Sequence, residues 1–193
     1  MKTFLFGWLG LLLTLCVSLA AYDGLYFQPA LARTRALLRQ HPESDRSPPL
    51  LFVQLLTFTT HGDTVPYATR VLMTSGDPED NAKPVWAWQA RYATWSLLYA
   101  LHTTEPERVA TIASLGFRAE PEHGLTAVAL RYFGEAPAQL SRQQWAMLAE
   151  LLVLAPAHLS ERELIDHATH LLDTFDQLPH RRPGERRGPA SYP

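Results

Sequence analysis

The chain has 193 residues, 47% of them hydrophobic and 19% charged, with a formal net charge of -2. This balance excludes a disordered chain and leaves no bulk charge to recruit nucleic acid, so the length describes one globular domain plus an extra segment. One cysteine, Cys16, leaves no intramolecular disulfide, and the domain must rest on its hydrophobic core.

The extra segment comes first. TFLFGWLGLLLTLCVSLAAY, residues 3–22, carries no charge. As a helix it would span roughly 30 Å at about 1.5 Å per residue, the thickness of a bilayer's hydrocarbon core. Lys2 and the amino terminus flank one side, so the positive-inside rule places the remainder outside the cytoplasm. The competing reading is a cleaved signal peptide, because Ser18-Leu19-Ala20 offers small residues at an acceptable spacing. The apolar run exceeds a usual signal core of about 7 to 15 residues, which favours a retained anchor. Cys16 follows Leu15, where a lipoprotein signal needs a small residue, and reads as a membrane-buried thiol.

Residues 23–47 hold an expected helix from Pro29 to Gln40 and a polar, proline-containing connector. Residues 48–178 follow as a helical domain, with helices expected at about 50–60, 66–74, 84–102, 105–115, 123–132, 142–154 and 161–177. No alternating run bounded by turn residues competes with them, so the fold class is all-α. Thr104 with Glu107, Ser141 with Gln144 and Ser160 with Glu163 match the capping box, and Leu140 with Trp145 and Leu159 with Leu164 match the hydrophobic staple. Gly134 and Pro137 stop one helix and set the next turn. Residues 179–193 are expected to form a mobile basic tail. Its Arg181, Arg182, Arg186 and Arg187 suit either a solubilising end or contact with anionic lipid headgroups.

Several side-chain groups carry two readings. Trp88, Tyr92, Trp95, Tyr99 and His102 recur on one helical face, as a buried stripe or a platform for sugar stacking. Asp166, His167, His170 and Asp173 place two histidines and two acids on one helix, a solvated face unless a distant ligand completes a metal site. Asp77, Glu79, Asp80, Glu120 and Glu122 lie in acid-rich loops.

GLTAVALRYFGEAPAQLSRQQWAMLAELLVLAPAHLS, residues 124–160, resembles the C-terminal part of glycosyltransferase family 51. This is the peptidoglycan transglycosylase domain of penicillin-binding proteins and of monofunctional transglycosylases. The Tyr132-Phe133-Gly134 turn, the capped start at Ser141 and the Ala155-Pro156 stop fall together at the family's spacing. The register extends back so that Gly124 and Gly134 stand on family glycines. PPLLFVQLLTFTTHGDTVPYATRVL, residues 48–72, resembles the front motif, with Phe58 and His61 on the family's Phe and His. A single N-terminal anchor is also the family's layout. The resemblance covers most of residues 48–175 and implies a lysozyme-like helical lobe, reduced in size.

It implies peptidoglycan chemistry as well: a glutamate acts as general base on the acceptor hydroxyl while the donor's lipid pyrophosphate leaves, helped by basic groups or a divalent metal. General-base work needs a titratable group within hydrogen-bond reach. The first glutamate position holds Gln54, followed by Leu55, and the second holds Ala110, with Ser114 on the family's asparagine. The stretch Met73 to Tyr92 is too short for the polar motif that normally lies between, leaving Gln89 as its remnant. Phe58, His61, Gln89 and Ser114 are thus vestigial substrate positions, and Glu120 and Glu122 are the candidates for a displaced base.

The reading is a single-pass protein of the bacterial inner membrane with its domain in the periplasm, a pseudoenzyme with a role in cell-wall assembly. Its expected partners are a cell-wall synthesis protein or lipid-linked precursor, with no cofactor. The alternatives are an active glycan-polymerising or glycan-cleaving enzyme using a displaced acid, and an interaction scaffold unrelated to peptidoglycan.

Overall fold

The computed structural model describes residues 2–75, 84–117, 123–154 and 160–177, and every regular element among them is helical. The chain opens with α1 (Lys2–Tyr22), a π-helical turn (Asp23–Phe27) and α2 (Gln28–Leu38). Short α3 (Glu43–Arg46), α4 (Leu50–Thr59) and α5 (Val65–Thr74) follow. Then come α6 (Val85–His102), α7 (Glu105–Leu115), α8 (Leu125–Phe133), a 3₁₀ turn (Pro137–Gln139), α9 (Arg142–Leu154) and α10 (Glu161–Gln177). The all-α expectation holds.

The first three elements form one unbroken rod. Pro29 has no N–H and its ring crowds the preceding turn, which normally kinks or ends a helix. Here the Gln28 amide donates to the Asp23 carbonyl, a wider i to i−5 step that admits the proline without a break. The rod divides by exposure rather than by bending. From Trp8 to Val17 its leucines and valine stand 54% to 65% exposed, while Phe27, Leu31, Thr34 and Leu38 bury one face of α2 in the domain.

α7 is the axis of one half. Val109, Ala110, Thr111, Ile112, Ala113, Ser114 and Leu115 are all buried, because α2, α3 and α5 pack around it. A helix buried on every side needs small and apolar residues throughout, and this run supplies them. α9 is the axis of the other half, with Ala146, Leu148 and Ala149 fully buried against α4 and α10. α8 touches both α3 and α9 and joins the halves. Phe52 and Trp145 meet with ring centroids 5.5 Å apart at the α4–α9 contact, and Phe58 meets Phe175 edge-on at 5.8 Å.

Two of the expected capping boxes form. The Ser141 amide donates to Gln144 Oε1 (2.6 Å) and the Gln144 amide to Ser141 Oγ (3.3 Å). Ser160 and Glu163 exchange the same pair of bonds at 2.8 and 3.3 Å. The third does not: Thr104 makes no side-chain cap. Glu107 is instead claimed from a distance by Arg35, whose Nε donates to Oε1 at 2.6 Å and whose second nitrogen donates to Oε2 at 3.3 Å. A forked, charge-assisted pair outcompetes a local bond to one amide. Leu140 and Trp145 are both buried, while Leu159 lies outside the described residues.

Candidate functional site

Among the described residues, those singled out by the resemblance divide between exposed and buried positions. Gln54 stands exposed on α4, and Phe58, one turn on, is partly buried against Phe175 of α10. Ala110 and Ser114 sit one turn apart on α7 and both face packed interior; Ser114 is fully buried and its hydroxyl has no hydrogen-bond partner. Gln89 stands exposed on α6. Glu120, Glu122, Asp77, Glu79, Asp80 and the basic tail lie outside the described residues.

His61 has a backbone role. With φ of 54° it occupies the left-handed position that closes α4, where the Gly62 amide donates to the Thr57 carbonyl (2.7 Å) and the His61 amide to the Phe58 carbonyl (3.0 Å). These are the two bonds of a Schellman motif, which usually places glycine where His61 stands. Its imidazole is exposed beside a turn in which Asp63 Oδ1 accepts the Val65 amide at 3.0 Å.

The aromatic stripe divides. Trp95 and Tyr99 are core, and Phe27 packs edge-on against both, at 5.6 and 6.3 Å. Burial pushes the Tyr99 phenol up to about 12, and its hydroxyl pairs with that of Thr111 at 2.8 Å. Trp88 and Tyr92 stack at 5.2 Å near the start of α6, with Trp88 36% exposed. Sugar stacking along the whole stripe is therefore closed off by packing.

Two buried carboxylates were passed over by the spacing arguments. Asp45, on the four-residue α3, is fully buried. Its Oδ1 accepts the Thr126 amide at 2.9 Å and the Thr126 hydroxyl as well, and that hydroxyl oxygen in turn accepts from the Ser44 hydroxyl at 2.7 Å. Thr126 is the second residue of α8, so Asp45 caps that helix from a segment 81 residues away. Gly124 makes room: at φ 103° a Cβ added there would lie 2.2 Å from Asp45 Oδ2. The other side of that oxygen faces His41 Nδ1 at 3.7 Å. Glycine at 124 thus answers a structural demand. The local signal was the Pro-Glu-Ser-Asp run, which reads as a polar linker because its target lies far along the chain.

Glu150 is the second. It sits buried on α9, and burial raises its carboxyl above the ordinary range, opposed by His167 and His170 of α10. Its sequence signal was a single charge inside WAMLAELLVL. Such a group holds a proton readily, yet at 8% exposure it is not open to a disaccharide. His167, His170, Asp166 and Asp173 are exposed on α10, and the described residues contain no cluster of three metal-ligating side chains.

Comparisons with protein-family models, with curated proteins and with solved structures find no match to this chain.

Proposed function

We propose that the chain is a membrane-anchored, periplasm-facing domain built on a transglycosylase-like helical scaffold, which does not polymerise glycan and serves cell-wall assembly by binding a synthesis protein or its lipid-linked precursor. The observation that carries the non-catalytic part is the pair Gln54 and Ala110. The first offers an exposed amide, the second a buried methyl group, where the resemblance calls for two carboxylates. Neither takes a proton from a sugar hydroxyl at neutral pH. Glu150, the described carboxyl that burial raises above the ordinary range, is enclosed by helix packing.

The anchor is supported by the rod. Its first half exposes Trp8, Leu9, Leu12 and Leu13 to the surroundings, with none of the described domain folded over them. A hydrocarbon environment matches that composition and length. The rod also enters the domain without a hinge, so a bilayer would fix the orientation of α2 and everything packed on it.

Binding is tested with the purified full chain in detergent and a labelled lipid-linked disaccharide precursor. Saturable binding supports the precursor arm of the proposal. Absence of binding removes that arm and leaves recognition of a membrane protein partner, to be identified by crosslinking in native membranes.

A further inference from the structure

We infer that α6 is an in-plane lipid-contacting helix, lying at the headgroup level beside the mouth of the membrane span with its open face against lipid. The inference rests on the reading of α1 as a retained span.

Its first support is the crossing geometry. The Trp95 indole N–H donates to the Tyr22 hydroxyl at 3.0 Å, while His102 Nε2 meets Asp23 Oδ2 at 3.0 Å. Residues 95 and 102 are about 10 Å apart along α6, whereas 22 and 23 are about 1.5 Å apart along the rod. Phe27, four residues further, again meets Trp95, Tyr99 and His102, with centroids 5.6 to 6.3 Å away. One short length of the rod is covered by two turns of α6, so the axes cross steeply instead of running side by side. A helix that steeply crosses a span, itself tilted on average about 20°, lies near the bilayer plane.

The crossing also fixes depth. It falls at Tyr22 to Phe27, directly after the uncharged run ends. Tyr22 and Tyr26 meet there as a tilted pair with ring centroids 5.2 Å apart, and Leu25 and Tyr26 stand 71% and 61% exposed. Tyrosines with an apolar body and a polar tip concentrate at the membrane–water boundary.

The third support is the open face itself. Trp86, Ala90, Ala93, Leu97 and Leu101 are exposed at helical spacing on the side of α6 away from Trp95 and Leu98. Gln89 and Ala100 widen the stripe, and it holds no charge. Trp86 at 72%, Leu97 at 52% and Leu101 at 69% stand open along one apolar stripe of the helix. A helix apolar on both its packed and its open face suits a lipid boundary better than water. The charged Arg91 is drawn over the Trp95 ring at 4.1 Å, away from this face.

The test is site-directed spin labelling of the full chain in phosphatidylethanolamine and phosphatidylglycerol vesicles, in a Cys16→Ser background. Single labels are placed by Ala93→Cys and Leu97→Cys on the open face, Leu13→Cys in the span and Asp166→Cys on exposed α10. The readout is collision with apolar oxygen against a water-soluble nickel chelate. The expected result is an oxygen-to-nickel ratio several-fold higher at 93 and 97 than at 166, and highest at 13. Water-like ratios at 93 and 97 beside a lipid-like 13 would overturn the inference and leave the span reading intact. Shielding of 93 and 97 from both reagents would replace lipid with a protein contact and also overturn it. A water-like label at 13 would remove the span and, with it, this inference.

Discussion

Replacing Asp45 by alanine removes the group that starts α8. Its Oδ1 takes the Thr126 amide, an orphan donor of the first helical turn, and the Thr126 hydroxyl. An N-cap of this kind contributes about 1 kcal/mol, with a range of about 0.5 to 2. A bond to a charged acceptor contributes about 1.5 to 3 kcal/mol, less here because Thr126 keeps its bond to Ser44 at 2.7 Å. Together the loss is about 2 to 3 kcal/mol, or about 6 to 12 °C in Tm at about 3 to 4 °C per kcal/mol for a domain of this size. The assay is thermal unfolding of the full chain in detergent, followed by helical circular dichroism. Gly124→Ala should be at least as damaging, because its Cβ would lie 2.2 Å from Asp45 Oδ2 and its φ of 103° suits glycine. In an Asp45→Ala background the steric part disappears, so Gly124→Ala should then cost less than in the wild type. A Tm for Asp45→Ala within about 1 °C of wild type, or additive effects of the two substitutions, would refute the capping argument.

Other substitutions probe separate features. Glu150→Gln should stabilise the domain near pH 8 and lose that advantage near pH 4. The folded carboxyl is raised by burial, so the wild type's stability is greatest below the unfolded pKa and falls as pH rises through the folded one, whereas glutamine does not titrate. Urea midpoints at the two pH values give the comparison, and a pH-independent difference would argue against it. His61→Gly should gain about 1 kcal/mol by relieving a left-handed backbone, and Gly134→Ala, at φ 68° with open space around it, should lose about the same. Equal effects of one sign in denaturant melts would contradict that reasoning. Arg35→Ala should cost about 0.5 to 1 kcal/mol, a modest loss because the guanidinium is 41% exposed. A loss beyond about 2 kcal/mol in the same melts would mean that the fork to Glu107 is better shielded than its exposure implies.

Much of the fold was legible because helix signals are local. The apolar run before Tyr22, the boxes at Ser141 and Ser160 and the glycine stop at Gly134 each involve residues within a few positions, and each forms as read. What the sequence hid depends on distant pairs. Glu107 has the right spacing to cap α7, but Arg35, 72 residues earlier, takes it. Asp45 looks like linker polarity until α8 arrives above it. The continuity of the rod through Pro29 was also invisible, since a proline ordinarily marks a helix start and only the π-turn allows passage. As for the site, packing assigns Ala110, Ser114 and His61 to interior and turn, a sorting that motif spacing alone does not make. Glu150 could have been found as a lone charge on an apolar face, whereas the steep crossing of α6 over the rod had no local signature.

We propose that the chain keeps a transglycosylase-like scaffold without the proton-accepting groups that polymerisation requires. The most direct test is turnover of a labelled lipid-linked disaccharide by the purified full chain in detergent, wild type beside Gln54→Glu. No glycan polymer is expected from the wild type, and none from Gln54→Glu, because Ala110 remains a buried methyl group. Polymer from the wild type would contradict this proposal and point to an acid elsewhere in the chain as the working base.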